Sequence, residues 1–223
     1  MELTVRPAQQ HRSREAWARV LDAGVAVLSE SGSEGFTIAA VCDRAGVTPP
    51  TIYRRASNKD ALFLAVYEHG IERIRAMEES VREASPAAEN APVAAVVAAA
   101  VDTIARIFLT HRGFLHAVIV ISATNAKVRD EGVGASTSLA ELFDQLTAAV
   151  TSGDQAPIRA AVFQMLFGAL VLRTGFGADF ATPLPVDDDA FIAGLKAVAV
   201  SAWAHESVPG LEASRQNDAD AAP

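Results

Sequence analysis

Residues 37–60, TIAAVCDRAGVTPPTIYRRASNKD, leave this chain fewer structural choices than any other stretch of it. Thr37 is placed to cap a helix in which Ile38, Val41, Cys42 and Ala45 recur at i, i+3, i+4 and i+7, one apolar stripe. Gly46 follows where a helix ends in the left-handed conformation, which a residue without Cβ adopts at no steric cost. Thr48 can cap a second helix, with Pro49 in the first helical position, where a missing N–H removes nothing. The spacing predicts a short second helix, from Pro49 to about Arg55, before Ser57-Asn58 breaks and re-caps the chain. Two short helices across a tight glycine-containing turn form a helix-turn-helix, the arrangement that lays its second helix in the major groove of DNA.

The charges agree with that geometry. Arg44, Arg54, Arg55 and Lys59 fall in a window without Asp or Glu, although the chain as a whole is acidic. Residues 1–60 hold 8 Lys and Arg against 7 Asp and Glu, whereas 61–223 hold 11 against 20. Contact with a polyanion must therefore be local, and the acidic bulk must face away from it. Lys59 stands in the first turn of a helix starting near Asn58, where the macrodipole disfavours a cation. A phosphate at that point would be held by the helix N-terminus and by Lys59 together. The plainer alternative is a solvated surface lysine.

The run AGVTPPTIYRRASNKDAL resembles the TetR-type regulators, whose motif reads approximately A-G-V-S/T-x-x-T-hydrophobic-Y-x-H/R-aromatic-x-S/N-K-x-x-L. Ala45, Gly46, Val47, Thr48, Thr51, Ile52, Tyr53, Arg55, Asn58, Lys59 and Leu62 match it in register. Upstream, a helix of about 20 residues and then Gly35 to Ile38 (GFTI) match as well, so the resemblance covers about residues 13–65. Ala56 departs from it, standing where the family often carries Phe or Trp, which implies looser packing of the third helix on the fourth. The resemblance implies an all-α fold of about nine helices: a three-helix DNA-binding domain over 1–60 and a helical ligand-binding and dimerisation domain over 61–205. It implies a homodimer on double-stranded DNA with a palindromic operator, through a four-helix interface built from the last two helices.

Half of the residues are hydrophobic and 6% are aromatic, a balance that favours packed helices over an all-β fold. The one cysteine, Cys42, excludes an intrachain disulfide framework and reads as a small buried residue in a reducing compartment. The first 15 residues lack the apolar core of a signal peptide, and the strongest apolar run, 160–172, contains Gln164, stops at Arg173 and is short for a bilayer. The expectation is a cytoplasmic protein with no membrane contact. Along the chain, residues 1–12 read as a flexible arm with Arg6, His11 and Arg12, and the first helix as about Ser13–Ser31, ended by Gly32. A fourth helix runs from about Asn58 to Ala84. After a linker through Pro92, helices are expected at about 92–110, 112–123, 134–151, 156–176 and 187–205, with loops at 124–133 and 177–186. Asp187, Asp188 and Asp189 read as a helix cap rather than a metal site. The tail 206–223 has no periodicity and is expected to be disordered.

Thr37 and Thr48 stand at two helix N-termini, where hydroxyls can grip phosphates, and Tyr53, Arg55 and Lys59 match positions that touch the backbone in the family. Thr51 belongs to the same motif. Pro49 and Pro50, at the leading end of the recognition helix, either only initiate it or touch thymine methyls; Arg44 or Arg54 must supply any bidentate guanine contact. Catalysis finds no support. His11, His69, His111, His116 and His205 form no HExxH, and there is no phosphate-cradling GxxxxGK and no GxSxG. No cofactor and no metal are expected. A small-molecule effector is expected instead, largely apolar and uncharged or poor in anionic groups, between helices four to eight on a lining drawn from Phe108, His111, Phe114, His116, Asn125, Phe143, Phe163 and Phe167. Helices 156–176 and 187–205, apolar nearly all round, require cover from a second copy. The reading is a ligand-responsive repressor; the alternative is a constitutive or architectural DNA-binding protein.

Overall fold

The computed structural model describes residues 7–84, 91–151, 155–180, 182 and 184–204. Every regular element among them is helical: α1 (Pro7–Gly35), α2 (Ile38–Ala45), α3 (Pro49–Tyr53), α4 (Lys59–Ala84), α5 (Val93–Thr110), α6 (Arg112–Ser122), α7 (Ala126–Thr147), α8 (Ala156–Phe176) and α9 (Asp188–Ala204). A 3-10 turn, Ala148–Val150, extends α7. The fold is all-α, with nine α-helices among the described residues.

Three boundaries differ from those read in the sequence, each for a local reason. The expected arm is helical from Pro7, which takes the first helical position ahead of the good helix formers Ala8, Gln9 and Gln10, and His11 pairs with Glu15 one turn on at 3.2 Å. Helical backbone breaks at Gly32 (φ 61) and resumes to Gly35. The expected loop 124–133 is helix from Ala126 onward. Asn125 caps it, its side-chain oxygen accepting from Val128 N–H at 3.2 Å, and Lys127 reaches Glu131 at 3.8 Å, which together outweigh the cost of Gly132 and Gly134 inside the helix. The recognition helix is shorter than expected, ending at Tyr53 with Arg54 as its cap. The linker 85–90, Arg6, His205 and the tail 206–223 lie outside the described residues.

The chain divides into two compact units. The first takes Met1–Glu79, Phe108–Ala135 and Thr174–Phe176; the second takes Ser80–Ile107, Ser136–Arg173 and Gly177–Pro223. In the first, α1 packs on α2 and α6 around Val20, Leu28, Val41, Ile52, Leu62 and Val66, all fully buried. Each such side chain contributes roughly 1.5–3 kcal/mol of burial. An aromatic row crosses this core: Phe36 meets Phe63 edge-on at 6.0 Å, Phe63 stacks on Tyr67 at 6.4 Å, and Tyr67 leans on Phe114 at 6.4 Å. Phe114 reaches that row only because Gly70 has no side chain; a Cβ there would stand 2.2 Å from Phe114 Cζ.

The second unit is built on Val97, Val101, Ile104, Leu142, Phe143, Leu166, Leu170 and Trp203. Phe143 lies 5.8 Å from Phe163 and 6.2 Å from Trp203, ring to ring. Asp102 accepts from both Arg106 and Lys196, tying α5 to α9, and Arg159 pairs with Asp144 at 2.8 Å. By length and composition α5 and α8 could each cross a bilayer, a length for α8 that the sequence reading of 160–172 missed. Val96, Val97, Ala100, Val101, Ile104 and Ala105 of α5 are nevertheless buried in protein, as in a core helix. α8 and α9 keep apolar faces outward: Met165 and Leu172 on α8 and Val198 on α9 are each more than two-fifths exposed.

Candidate nucleic-acid interface

The helix-turn-helix forms as its caps dictate. Thr37 is extended (φ −128, ψ 156) and its Oγ1 accepts from Ala40 N–H at 3.0 Å. Val41 and Cys42 turn inward and are buried, and burial pushes the Cys42 thiol pKa up, helped by the neighbouring Asp43, so it stays an inert thiol. Gly46 takes the left-handed conformation (φ 63, ψ 41) that ends α2, and Val47 N–H closes the turn on the Cys42 carbonyl at 3.1 Å. Thr48 is again extended, but its hydroxyl makes no capping bond to α3. Asn58 accepts from Ala61 N–H at 2.8 Å and starts α4. Ala56 is 1% exposed, so this small residue fills a core position where bulk was expected.

The four cations of the window fare differently. Arg44 forms a two-pronged pair with Glu30, its Nη2 donating to Oε1 at 2.7 Å. Arg54 folds over its own helix, Nε donating to the Pro50 carbonyl at 3.2 Å. Arg55 lies over the Trp17 ring, 5.5 Å from its centre, and donates to Ser13 Oγ at 3.4 Å. Lys59 is exposed at the first position of α4 and has no ion-pair partner among the described residues. Tyr53 projects beside the motif with 53% of its surface exposed, and Pro49 and Pro50 are exposed at the leading end of α3; Thr51 is half-buried.

The residues offered for an effector separate. Phe108, His111, Phe114, His116 and Asn125 fall in the first unit, and Phe143, Phe163 and Phe167 in the second. Phe108 and Phe114 are buried core residues, and Asn125 is spent on capping α7. His116 holds the Thr174 carbonyl through Nδ1 at 3.1 Å. His111 is half-buried with Nε2 unpartnered; burial lowers its pKa and the nearby Arg73 charge lowers it further, so the ring is neutral. In the second unit Phe163 stacks on Phe167 at 5.9 Å. None of the eight lines the cavity of about 390 Å3 in the first unit, whose walls are Tyr67, Glu68, Ile71 and Glu72 of α4 with Asp130, Glu131 and Gly134 of α7. The sequence carried one sign of it, the acids Glu68 and Glu72 one turn apart. Taking 124–133 for a loop hid the facing pair.

The comparisons with known proteins bear on both halves. The family model for bacterial regulatory proteins of the tetR family matches residues 20–66. No curated protein matches significantly. Among solved structures, a TetR-like transcriptional regulator from Rhodococcus sp. RHA1 is similar with a TM-score of 0.59 at 19% identity, over 85% of this chain and 96% of that one. A TetR transcriptional regulator from the same source gives 0.53 at 18% identity, over 90% and 99%. The transcriptional regulator FadR from Bacillus subtilis, solved in complex with stearoyl-CoA, gives 0.58 at 17% identity, over 83% and 98%. At these identities the structures speak for the fold, and the family model for the helix-turn-helix. Residues 20–66 are thus a helix-turn-helix domain of the tetR-family type, on a chain whose fold is similar to that of solved TetR-type regulators.

Proposed function

We propose that this regulator is a cytoplasmic repressor that binds a palindromic operator as a homodimer and leaves it when a small molecule binds. The observation that carries the DNA reading is the exposure of Thr48, Tyr53 and Lys59 within the motif. Thr48 has a hydroxyl free of capping, and Lys59 a charge free of ion pairs among the described residues. Both are suited to phosphate oxygens. Arg54 and Arg44 supply base contacts only after leaving Pro50 and Glu30. The outward faces of α8 and α9 support the dimer. Met165 and Leu172 on one, and Ala193, Gly194, Ala197 and Val198 on the other, are exposed apolar or small residues that a second copy would cover.

The effector is proposed to be a small molecule with an apolar body that is not an anion. The acyl chain in the FadR structure is a precedent for an apolar body. Its coenzyme carries several phosphates, which the acidic walls of the first unit's cavity would repel. A ligand-independent DNA-binding protein is the second reading, favoured by the way Phe163 packs between Phe143 and Phe167 and Phe143 meets Trp203.

Selection of bound fragments from random DNA tests the proposal. The expected product is a palindrome with half-sites about 34–36 Å apart or a multiple of that spacing, bound by a dimer in sedimentation. A monomer at micromolar concentration, or enrichment of no sequence, contradicts it. Titrating the complex with small molecules separates the two readings.

A further inference from the structure

The tetR-family match begins at residue 20, yet α1 runs as helix from Pro7 into it, so thirteen residues of that helix lie ahead of the matched motif. Over residues 7–19 the chain carries three arginines, Arg12, Arg14 and Arg19, against the single carboxylate of Glu15, although its net charge is −8. That carboxylate is met by His11, Nδ1 to Oε1 at 3.2 Å. All three arginines are exposed, and none has an ion-pair partner among the described residues. Exposed arginines on a helix are ordinarily solvated, and alone they would imply nothing. Arg55 supplies the independent sign, because it joins these turns to the recognition helix. Two residues beyond α3, it donates to Ser13 Oγ at 3.4 Å and lies over the Trp17 ring, 5.5 Å from its centre. Ser13 and Trp17 stand about one turn apart on the face of α1 that meets the motif, and Arg12 and Arg14 fan out about 100° to either side of Ser13. Arg12, Arg14 and Arg55 are therefore gathered around one turn of α1, at the end of the helix that reads DNA. Gathering like charges without a counter-charge costs free energy, and a polyanion removes that cost.

We infer that the first turns of α1 form a second contact with DNA, Arg12 and Arg14 holding phosphates of the strand that borders the groove occupied by α3. The step rests on the DNA reading above. Arg55 is a positioning residue here: its bond to Ser13 and its seat on Trp17 fix α1 against the end of α3, so the two arginines travel with the recognition helix. Their partner is the backbone rather than a base edge, because side chains that diverge by about 200° present no parallel pair of donors to one base. Phosphate contacts place a protein on the duplex without choosing a sequence. The α1 pair therefore raises affinity for every duplex and steepens its salt dependence, and it leaves operator preference to α3.

Hydroxyl-radical footprinting and salt-dependent anisotropy on the full chain test the contact. The parent protein is compared with Arg12→Ala/Arg14→Ala and with Arg12→Lys/Arg14→Lys, both on a selected operator and on a random-sequence duplex of equal length. The alanine pair is expected to lose protection at one patch of sugars in each half-site and to keep the rest of the footprint. Its slope of log affinity against log salt is expected to fall by about two for each motif engaged, on both duplexes. The lysine pair is expected to keep the patch and the slope, since a phosphate accepts a point charge in place of a guanidinium fork. An unchanged footprint and slope for the alanine pair overturns the inference, and so does an equal loss in the lysine pair. The random duplex keeps the two readings apart. If no operator is selected but the alanine pair still lowers the slope on random DNA, the operator reading fails and the contact stands. If the operator binds and the alanine pair changes nothing, the contact fails and that reading stands. A parent protein that binds no duplex overturns both.

Discussion

The first unit carries two charge clusters on one scaffold, and they are built in opposite ways. In the helix-turn-helix, three of four cations are held by their own protein: Arg44 by Glu30, Arg54 by the α3 backbone, Arg55 by Trp17 and Ser13. In the cavity, four carboxylates face one Arg75, and a buried hydroxyl beside them has no partner. A count of charges would rank the two clusters as equals. Their partners rank them differently, because a paired exposed ion has half-spent its attraction on a neighbour, and an unpaired one keeps it for a ligand. The proposed DNA contact therefore leans on geometry and on few free groups.

The most severe way to break this comparison is to damage the helix both clusters share. Gly70→Ala drives a Cβ into Phe114, 2.2 Å from Cζ, and is expected to cost about 3 kcal/mol of stability, the upper range for overpacking. Calorimetric melting checks it, and DNA binding is expected to fall with it. Arg54→Ala probes a held cation. If Arg54 leaves Pro50 to read a base, preference relaxes at one operator position by about 1–3 kcal/mol, measured by competition among single-base variants. Thr37→Ala acts on one side only. It removes the Oγ1 cap of α2, costs about 1 kcal/mol in thermal stability, weakens DNA binding and leaves the cavity intact. The cavity side has its own probe at alkaline pH. Tyr67 holds its proton more tightly folded than unfolded, so its contribution is complete below pH 10 and is lost as pH rises through about 12. Tyr67→Phe removes that part of the decline, seen as a smaller loss of melting temperature between pH 10 and pH 12 than in the parent protein.

What the sequence made legible follows the reach of the interactions. Thr37, Gly46, Asn58 and Asp187 cap helices through bonds to residues within five positions, and each is found doing so. Such local chemistry can be read from a string. The start of α7 was local too, but Gly132 and Gly134 masked the Asn125 cap and the Lys127–Glu131 pair. Whether Arg44 is free was not legible at all, since its partner Glu30 is fourteen residues away on another helix. The cavity needed α4 and α7 brought face to face, and sequence weight went instead to phenylalanines, which apolar cores and apolar pockets use alike.

Salt dependence of operator affinity tests the central claim most directly: of the four cations in the motif, Lys59 is the one available to phosphate. Anisotropy titrations of a selected operator from low to physiological salt would compare the parent protein with Lys59→Ala and Arg44→Ala. Lys59→Ala is expected to weaken binding to all sequences alike and to lower the slope of log affinity against log salt by about one for each motif engaged. Arg44→Ala is expected to leave the slope unchanged. An unchanged slope for Lys59→Ala, or an equal drop for Arg44→Ala, would contradict the account.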